Sequence, residues 1–329
     1  LDLDGALVAG GGTTGFIYLE QGQATWTCED AFFLQPTFWH PTSGGRLFAG
    51  TAYGMRSSHD RGCSWQDVLK LRDDAILDLE VDPLDPAHLW LVAGTQGGRN
   101  RVYDSVDEGD SWQTLREDHD VELREIEASD DGAVLWLLGR RPTDRAGLLW
   151  RSEDGGRGWS APLLLEGWEA VDLLAVSEDG QRLYLSAVAQ EGGFWLLEVS
   201  ADLASPAQPL RDWYSPPTAA TEIDGHLFVA IGGERLMRRA PAGDFVELPE
   251  RPMSCLERIG GRLWACSFPP THPQYLHSED LGETWQPALE FADVVMRDCP
   301  AGTPAAEICP DVWLRLQALQ VQLGDDDDD

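Results

Sequence analysis

The chain has 329 residues, with 57 acidic against 24 basic side chains, and its net charge of -33 argues against nucleic acid or an anionic membrane surface as a partner. Its 43% hydrophobic content can build a folded core and excludes a disordered chain. No apolar run approaches the roughly 20 residues of a transmembrane helix, so no membrane insertion is predicted.

The amino end lies in a strand pattern. The chain starts at Leu1 without an initiator Met, and the pattern continues to Asp4. We expect that a leader has been removed, which indicates export. The predicted location is therefore secreted, periplasmic or at the cell surface.

An eight-residue segment with a Ser-x-Asp-x-Gly-x-(Ser/Thr/Gly)-Trp pattern recurs four times. The first three copies begin at residues 58, 105 and 152, a spacing of 47 residues. Weaker copies near Gln21, Ser200 and Arg239 bring the count to seven units. The characteristic residues of the four clear copies are Ser58, Asp60, Gly62 and Trp65; Ser105, Asp107, Gly109 and Trp112; Ser152, Asp154, Gly156 and Trp159; and Ser278, Asp280, Gly282 and Trp285.

A second marker, a turn followed by an apolar strand, runs in phase with the first. Its seven copies are at 4–10, 44–50, 87–94, 132–137, 180–185, 225–229 and 261–265. Each unit has room for about four short strands, the size of one propeller blade. The two markers predict an all-β fold, a seven-bladed β-propeller over residues 1–296. The first marker then lies in the turn between strands C and D of each blade, and the second lies at strands A and B.

The residue types of the first marker suit a tight turn. An Asp side chain accepts hydrogen bonds from backbone N–H groups of its own turn, and Gly supplies a left-handed conformation. The Trp at the start of strand D covers the turn. These residues are therefore predicted to stabilise the fold rather than to bind a ligand.

Three segments follow the last repeat. Residues 291–296 are predicted to be a strand that closes the ring on the truncated first unit, because an open sheet edge would otherwise be exposed. Residues 297–324 are predicted to form a disulfide loop and a short helix over 310–323. Residues 325–329 form an acidic tail, either a natural linker or an added tag.

Six cysteines fit a set of disulfides, although six thiols permit 15 pairings. The two-residue turn Gly260–Gly261 places Cys255 opposite Cys266. Cys299 and Cys309 flank a loop that they could close, which leaves Cys28 with Cys63. Free thiols in a cytosolic protein are the alternative.

The four clear copies match the Asp-box, or BNR repeat, and nearly the whole chain resembles an Asp-box β-propeller of the sialidase-like and sortilin-like superfamily. Its seven units are closest in number to propellers that resemble photosystem assembly factors. The resemblance implies that the Asp-box turns lie on the face opposite the ligand. Sialidases carry an Arg-Ile-Pro-like motif near the start and have six blades, and this chain has neither feature.

The loops between strands B and C, and between strands D and A of the next blade, converge on the mouth of the central channel. Aromatic side chains there can stack on sugars or peptide groups, and Arg can bind carboxylates. The candidate ligand-binding residues are Trp39, His40, Tyr53, Arg99, Arg101, Arg141, Trp213, Tyr214 and His272.

We predict a non-catalytic exported binding module for a glycan or an extracellular protein, acting as a monomer. The alternatives are a glycoside hydrolase with an unrecognised carboxylate pair and a structural or assembly factor. The sequence contains no familiar nucleophile or metal motif, so no catalytic residue, metal ligand or cofactor is predicted. Whether calcium binds is left open.

Overall fold

The computed structural model describes residues 2–3, 6–11, 15–20, 23–28, 38–42, 46–95, 98–249, 253–267, 275–289 and 293–324. Within these residues the strands form seven sheets, each with four consecutive antiparallel strands, and this arrangement confirms the predicted seven-bladed β-propeller. We call the seven sheets blades 1 to 7 and their strands A to D, with A next to the channel.

Blades 1 to 4 follow one another along the first half of the chain. Blade 1 contains β1 (Asp2–Leu3), β2 (Ala6–Gly11), β3 (Gly15–Glu20) and β4 (Gln23–Thr27). Blade 2 contains β5 (Phe38–Pro41), β6 (Leu47–Thr51), β7 (Gly54–Ser58) and β8 (Gln66–Asp67). Blade 3 contains β9 (Asp74–Val81), β10 (Leu89–Thr95), β11 (Asn100–Ser105) and β12 (Gln113–Asp118). Blade 4 contains β13 (Glu122–Ala128), β14 (Leu135–Arg140), β15 (Gly147–Ser152) and β16 (Leu163–Leu165).

Blades 5 to 7 and a C-terminal segment complete the chain. Blade 5 contains β17 (Trp168–Val176), β18 (Arg182–Ala189), β19 (Phe194–Ser200) and β20 (Gln208–Trp213). Blade 6 contains β21 (Pro217–Ile223), β22 (His226–Ile231), β23 (Arg235–Arg239) and β24 (Phe245–Glu247). Blade 7 contains β25 (Met253–Ile259), β26 (Arg262–Ser267), β27 (Tyr275–Ser278) and β28 (Gln286–Leu289). The last elements are β29 (Val294–Met296) and the helix α1 (Pro304–Gly324), and a single-turn 3₁₀ helix (Leu69–Leu71) follows β8.

The apolar second marker corresponds to strand B, which is buried on both faces. In β10, Leu91 belongs to the cluster shared with blade 2, whereas the neighbouring Trp90 belongs to the cluster shared with blade 4. A strand packed on both sides has no polar face, so its sequence is continuously apolar rather than alternating.

All four clear Asp-box-like segments lie between strands C and D, as predicted. In the first, the Ser58 hydroxyl donates to Asp60 Oδ1 at 2.8 Å and accepts the Gly62 N–H at 2.8 Å. Asp60 Oδ1 also accepts the Ser64 N–H at 2.8 Å. The same three bonds recur in the other copies, so the Ser and Asp side chains satisfy the backbone of the turn. We call these four segments the Asp turns.

The Asp turns also pack blade against blade. A Cβ at Gly109 of blade 3 would lie 2.4 Å from Phe48 Cζ of blade 2, and one at Gly282 of blade 7 would lie 2.7 Å from Leu248 Cδ1. Both glycines have a positive φ, +82° in each case. Glycine is therefore required at these two positions by conformation and by space.

The ring closes differently from the sequence-based prediction. The predicted closing strand exists as β29, but it pairs in parallel with β4, the outer strand of blade 1, and not with the short β1. Val294 lies opposite Ala24 and Met296 opposite Trp26. The two-residue β1 is the inner strand of blade 1, and β29 adds a fifth strand at the outer edge of this blade.

Two of the three predicted disulfide pairings are wrong. The structure joins Cys28 to Cys309 and Cys63 to Cys299, instead of Cys28 to Cys63 and Cys299 to Cys309. The parallel pairing of β29 with β4 carries the C-terminal segment across blade 1, which brings its two cysteines to those of blades 1 and 2. Cys255 pairs with Cys266 as predicted, directly opposite in register.

The C-terminal helix is longer than the predicted 310–323. It begins at Pro304, after Thr303, whose hydroxyl accepts the Ala306 N–H at 3.4 Å. A hydroxyl cap followed by proline is a favoured helix start, so the helix includes part of the expected loop. Among the described residues, no helix combines the length and apolar character required to cross a membrane.

Candidate functional site

A cavity of about 510 Å³ opens at the channel mouth over blades 3 to 5. The mouth is the end of the channel where strands A begin and strands B end, opposite the Asp turns. The cavity is lined by Ala75, Leu77, Gly94, Asn100, Glu122, Leu123, Arg124, Glu125, Arg140 and Asp172. Its lining therefore combines an amide, both signs of charge and the partly exposed Leu77 at 41%.

The polar groups around the cavity are held by neighbouring strands. Arg140 Nε donates to Glu122 Oε2 at 2.5 Å, and Arg140 Nη1 donates to Glu169 Oε1 at 2.9 Å. Asn100 Nδ2 donates to the Val121 carbonyl at 2.7 Å. These contacts hold the side chains of the rim in a defined arrangement.

Below the mouth, carboxylates of the inner strands connect adjacent blades. Asp78 Oδ2 in blade 3 accepts the Ile126 N–H of blade 4 at 2.8 Å, and Glu125 Oε2 in blade 4 accepts the Leu173 N–H of blade 5 at 2.5 Å. In both cases donor and acceptor are separated by 48 residues. A hydrogen bond between successive inner strands thus follows the period of the repeat.

The channel environment disfavours ionisation of these carboxyl groups. Burial raises the pKa of Asp78 to about 6 and, together with the Asp78 and Glu257 carboxylates, raises the pKa of Glu127 to about 8. Burial raises the pKa of Glu80 and of Glu125 well above the usual range, and neighbouring carboxylates add to both shifts. These inner-strand carboxyl groups therefore stay protonated to a higher pH than exposed carboxyl groups do.

This set of carboxylates was not among the sequence-based candidates. Its signal is visible in the sequence, because Asp78, Glu125 and Asp172 recur with a spacing of 47 residues, as do Glu80 and Glu127. The spacing equals that of the first three Asp turns. Among the described residues, no group of three or more His, Cys, Asp or Glu is arranged to hold a metal ion.

The predicted blade 3 and blade 4 arginines lie near the mouth, and two of them are held in ion pairs. Arg101 Nε donates to Glu117 Oε2 at 2.8 Å. This hydrogen bond and a second one to the Tyr103 hydroxyl raise the pKa of Arg101 above its usual range. Arg141 forms a two-bond pair with Asp144. Arg99 is exposed in the loop before β11.

The predicted aromatic residues are spread over several blades. Tyr53, 65% exposed, lies in the loop between β6 and β7, and Tyr214 is fully exposed after β20. Trp213 is only 8% exposed and packs on Phe245 with ring centroids 5.4 Å apart, so it belongs to the packing of blades 5 and 6 rather than to a binding surface.

Two more predicted residues come from blade 2. Trp39 and His40 lie in the inner strand β5 instead of a loop. His40 Nδ1 lies 2.9 Å from the Pro41 carbonyl, and burial lowers the pKa of His40 to about 4. His272 lies outside the described residues. None of the predicted residues that the structure describes lines the cavity, although Arg99, Arg101 and Arg141 belong to blades that border it.

Comparison with known proteins supports the fold alone. No family model matches the chain, and no curated protein matches it. Among solved structures it is similar to a puromycin-hydrolysing peptidase of Mycobacterium tuberculosis, with 15% identity, a TM-score of 0.58, and coverage of 90% of this chain and 52% of that one. It is also similar to Kuenenia stuttgartiensis hydrazine synthase, with 12% identity, a TM-score of 0.55, and coverage of 77% and 86%.

A third similar structure is the GH74 enzyme of Niastella koreensis, with 16% identity, a TM-score of 0.53, and coverage of 78% of this chain and 45% of that one. The chain thus spans about half the length of the peptidase and of the GH74 enzyme. These proteins differ in activity while sharing the propeller, so function has to be argued from the site.

Proposed function

We propose that the chain is an exported, non-catalytic binding module that recognises a glycan or an extracellular protein at the channel mouth. The cavity over blades 3 to 5 carries this proposal. Its volume of about 510 Å³ lies in the range of ligand sites, and its arginines, carboxylates and amide can bond to sugar hydroxyls or to a peptide. Three disulfides support an oxidising, extracellular location.

We further propose that the chain is a member of the Asp-box propellers. The four turns support this assignment, because each combines the characteristic residues with the same hydrogen bonds at the same place in the blade. In this arrangement the Asp turns stabilise one face and leave the opposite mouth for the ligand.

The proposal is tested by filling the cavity. Leu77 lines it and is 41% exposed, so Leu77→Trp places a large ring in the space for the ligand. Leu84 is 73% exposed in the turn between β9 and β10, at the opposite end of the channel, and Leu84→Trp is the matched control. Wild type and both variants are screened on a glycan array and by cross-linking to extracellular proteins.

We expect the Leu77→Trp variant to lose at least about tenfold in affinity for whichever ligand wild type binds, while Leu84→Trp retains it. Circular dichroism checks that both variants are folded. Equal binding by wild type and Leu77→Trp would place the ligand elsewhere, and loss of binding only in Leu84→Trp would assign it to the opposite face.

A glycoside hydrolase is the second candidate, favoured by two carboxylates that line the same cavity. Glu125, with its raised pKa, is suited to donate a proton, and Asp172 is the second carboxylate. Incubation of wild type with the glycans that it binds tests this activity. The Glu125→Gln variant keeps an oxygen for the Leu173 N–H. If wild type cleaves a glycan and Glu125→Gln does not, the chain is a hydrolase and not a non-catalytic binding module.

A further inference from the structure

The three disulfides lie in different surroundings. Cys28, Cys63, Cys299 and Cys309 all belong to the apolar cluster between blade 1 and the C-terminal segment. Cys299 is partly exposed, but Cys28, Cys63 and Cys309 are at most 3% exposed, so each of these two disulfides contains a buried cysteine. Cys255 and Cys266 are both partly exposed and belong to none of the buried apolar clusters of the described residues. Thiol–disulfide exchange requires a thiolate to reach a sulfur atom, so access favours this pair.

The Cys255–Cys266 disulfide also constrains the chain least. It joins residues 11 apart, whereas the other two disulfides join residues 236 and 281 apart. Cys255 and Cys266 already face each other in the hairpin of β25 and β26, which continues to Ile259 opposite Arg262. A disulfide stabilises the folded state by lowering the entropy of the unfolded chain, and this stabilisation grows with the length of the loop that it closes. Because the loop is short here, the hairpin loses little stability on reduction and can persist.

We propose that Cys255–Cys266 is a thiol-exchange site that a dithiol reductant opens while the propeller stays folded. A reductant thiolate attacks one sulfur, the Sγ–Sγ bond breaks, and the displaced cysteine thiolate takes a proton from water. The second reductant thiol then resolves the mixed disulfide and releases the other cysteine. In balance, the protein disulfide gains two electrons and two protons, and the dithiol becomes a disulfide.

The site lies at the mouth end of blade 7, outside the cavity of blades 3 to 5. Cys255 is near the start of the inner strand β25, and Cys266 lies opposite Tyr275 of β27. The exchange site therefore does not depend on the proposed ligand.

The test uses the oxidised full chain and dithiothreitol under native conditions. Samples taken over time are alkylated with iodoacetamide, each cysteine is followed by peptide mass spectrometry, and circular dichroism is recorded in parallel. We expect Cys255 and Cys266 to react roughly tenfold faster than the other four cysteines, with an unchanged spectrum, because rate follows access.

The double variant Cys255→Ser/Cys266→Ser is the matched control. It should fold, lack the fast phase and leave the other four rates unchanged. The proposal is overturned if all three disulfides open together, if another disulfide opens first, if none opens before unfolding, or if the double variant does not fold.

Discussion

Replacing Gly109 with alanine adds one methyl group between blades 2 and 3. Gly109 has a φ of +82°, and its Cβ would lie 2.4 Å from Cζ of Phe48, which is completely buried. A left-handed non-glycine residue costs roughly 1–2 kcal/mol, and forcing a methyl group into a packed core costs roughly 1–3 kcal/mol. We therefore expect Gly109→Ala to lower the free energy of unfolding by about 2–5 kcal/mol.

The chain provides a matched control at the equivalent position of blade 2. Gly62 has a φ of +88°, but the nearest atoms to its Cβ are 3.6 Å away, which is ordinary contact. Gly62→Ala should therefore cost only the backbone contribution of roughly 1–2 kcal/mol. Urea unfolding followed by tryptophan fluorescence measures both.

The difference between the two variants tests the packing of one blade on the next. Phe48→Leu in the Gly109→Ala background should recover part of the loss, because the smaller side chain makes room for the methyl group. If Gly109→Ala costs no more than Gly62→Ala, the Asp turn of blade 3 does not pack on Phe48, and the argument fails.

Two further predictions concern pH and ring closure. The folded-state pKa of Asp78 is raised from 3.8 to about 6, and that of Glu127 is raised from 4.5 to about 8. The stability that these two groups contribute is therefore fully present below pH about 4 and is lost as the pH rises to about 8. Urea unfolding should show a smaller loss of stability over this range in Glu127→Gln than in wild type, and an equal loss would contradict the assignment. Cys28→Ser/Cys309→Ser removes a disulfide between residues 281 apart, and it should lower the free energy of unfolding by about 4–5 kcal/mol in the same assay. Cys255→Ser/Cys266→Ser should lower it by less, because that disulfide joins residues only 11 apart. The reverse order would contradict the argument from loop length.

The blades were predictable because each is defined by local chemistry. Each Ser-x-Asp turn is formed by its own eight residues. The number of residues between two such turns indicates how many strands lie between them. The Cys255–Cys266 pairing was equally local, since a two-residue turn sets its register. The other two pairings depend on where β29 lies, which is decided by contacts with β4 about 270 residues earlier in the chain.

The candidate site was less predictable for two physical reasons. The sequence pattern predicts loops at Trp213 and Arg101, but β20 and β11 extend to include these residues, and strand residues are held by their neighbours. Composition does not distinguish the carboxylates of strand A, because isolated acidic residues are ordinary in so acidic a chain. Only their common 47-residue spacing distinguishes Asp78, Glu125 and Asp172 from solvated surface charges.

The order of the cysteines along the chain has a consequence for how the native bonds are acquired. A chain that emerges amino end first presents Cys28 and Cys63 together, long before Cys299 and Cys309 exist to receive them. Oxidation at that stage would join the first two to each other, and the mistake could be undone only by disulfide rearrangement, which takes seconds to hours. We therefore expect the two long-range disulfides to form late or by exchange, whereas the Cys255–Cys266 hairpin can form as soon as it appears.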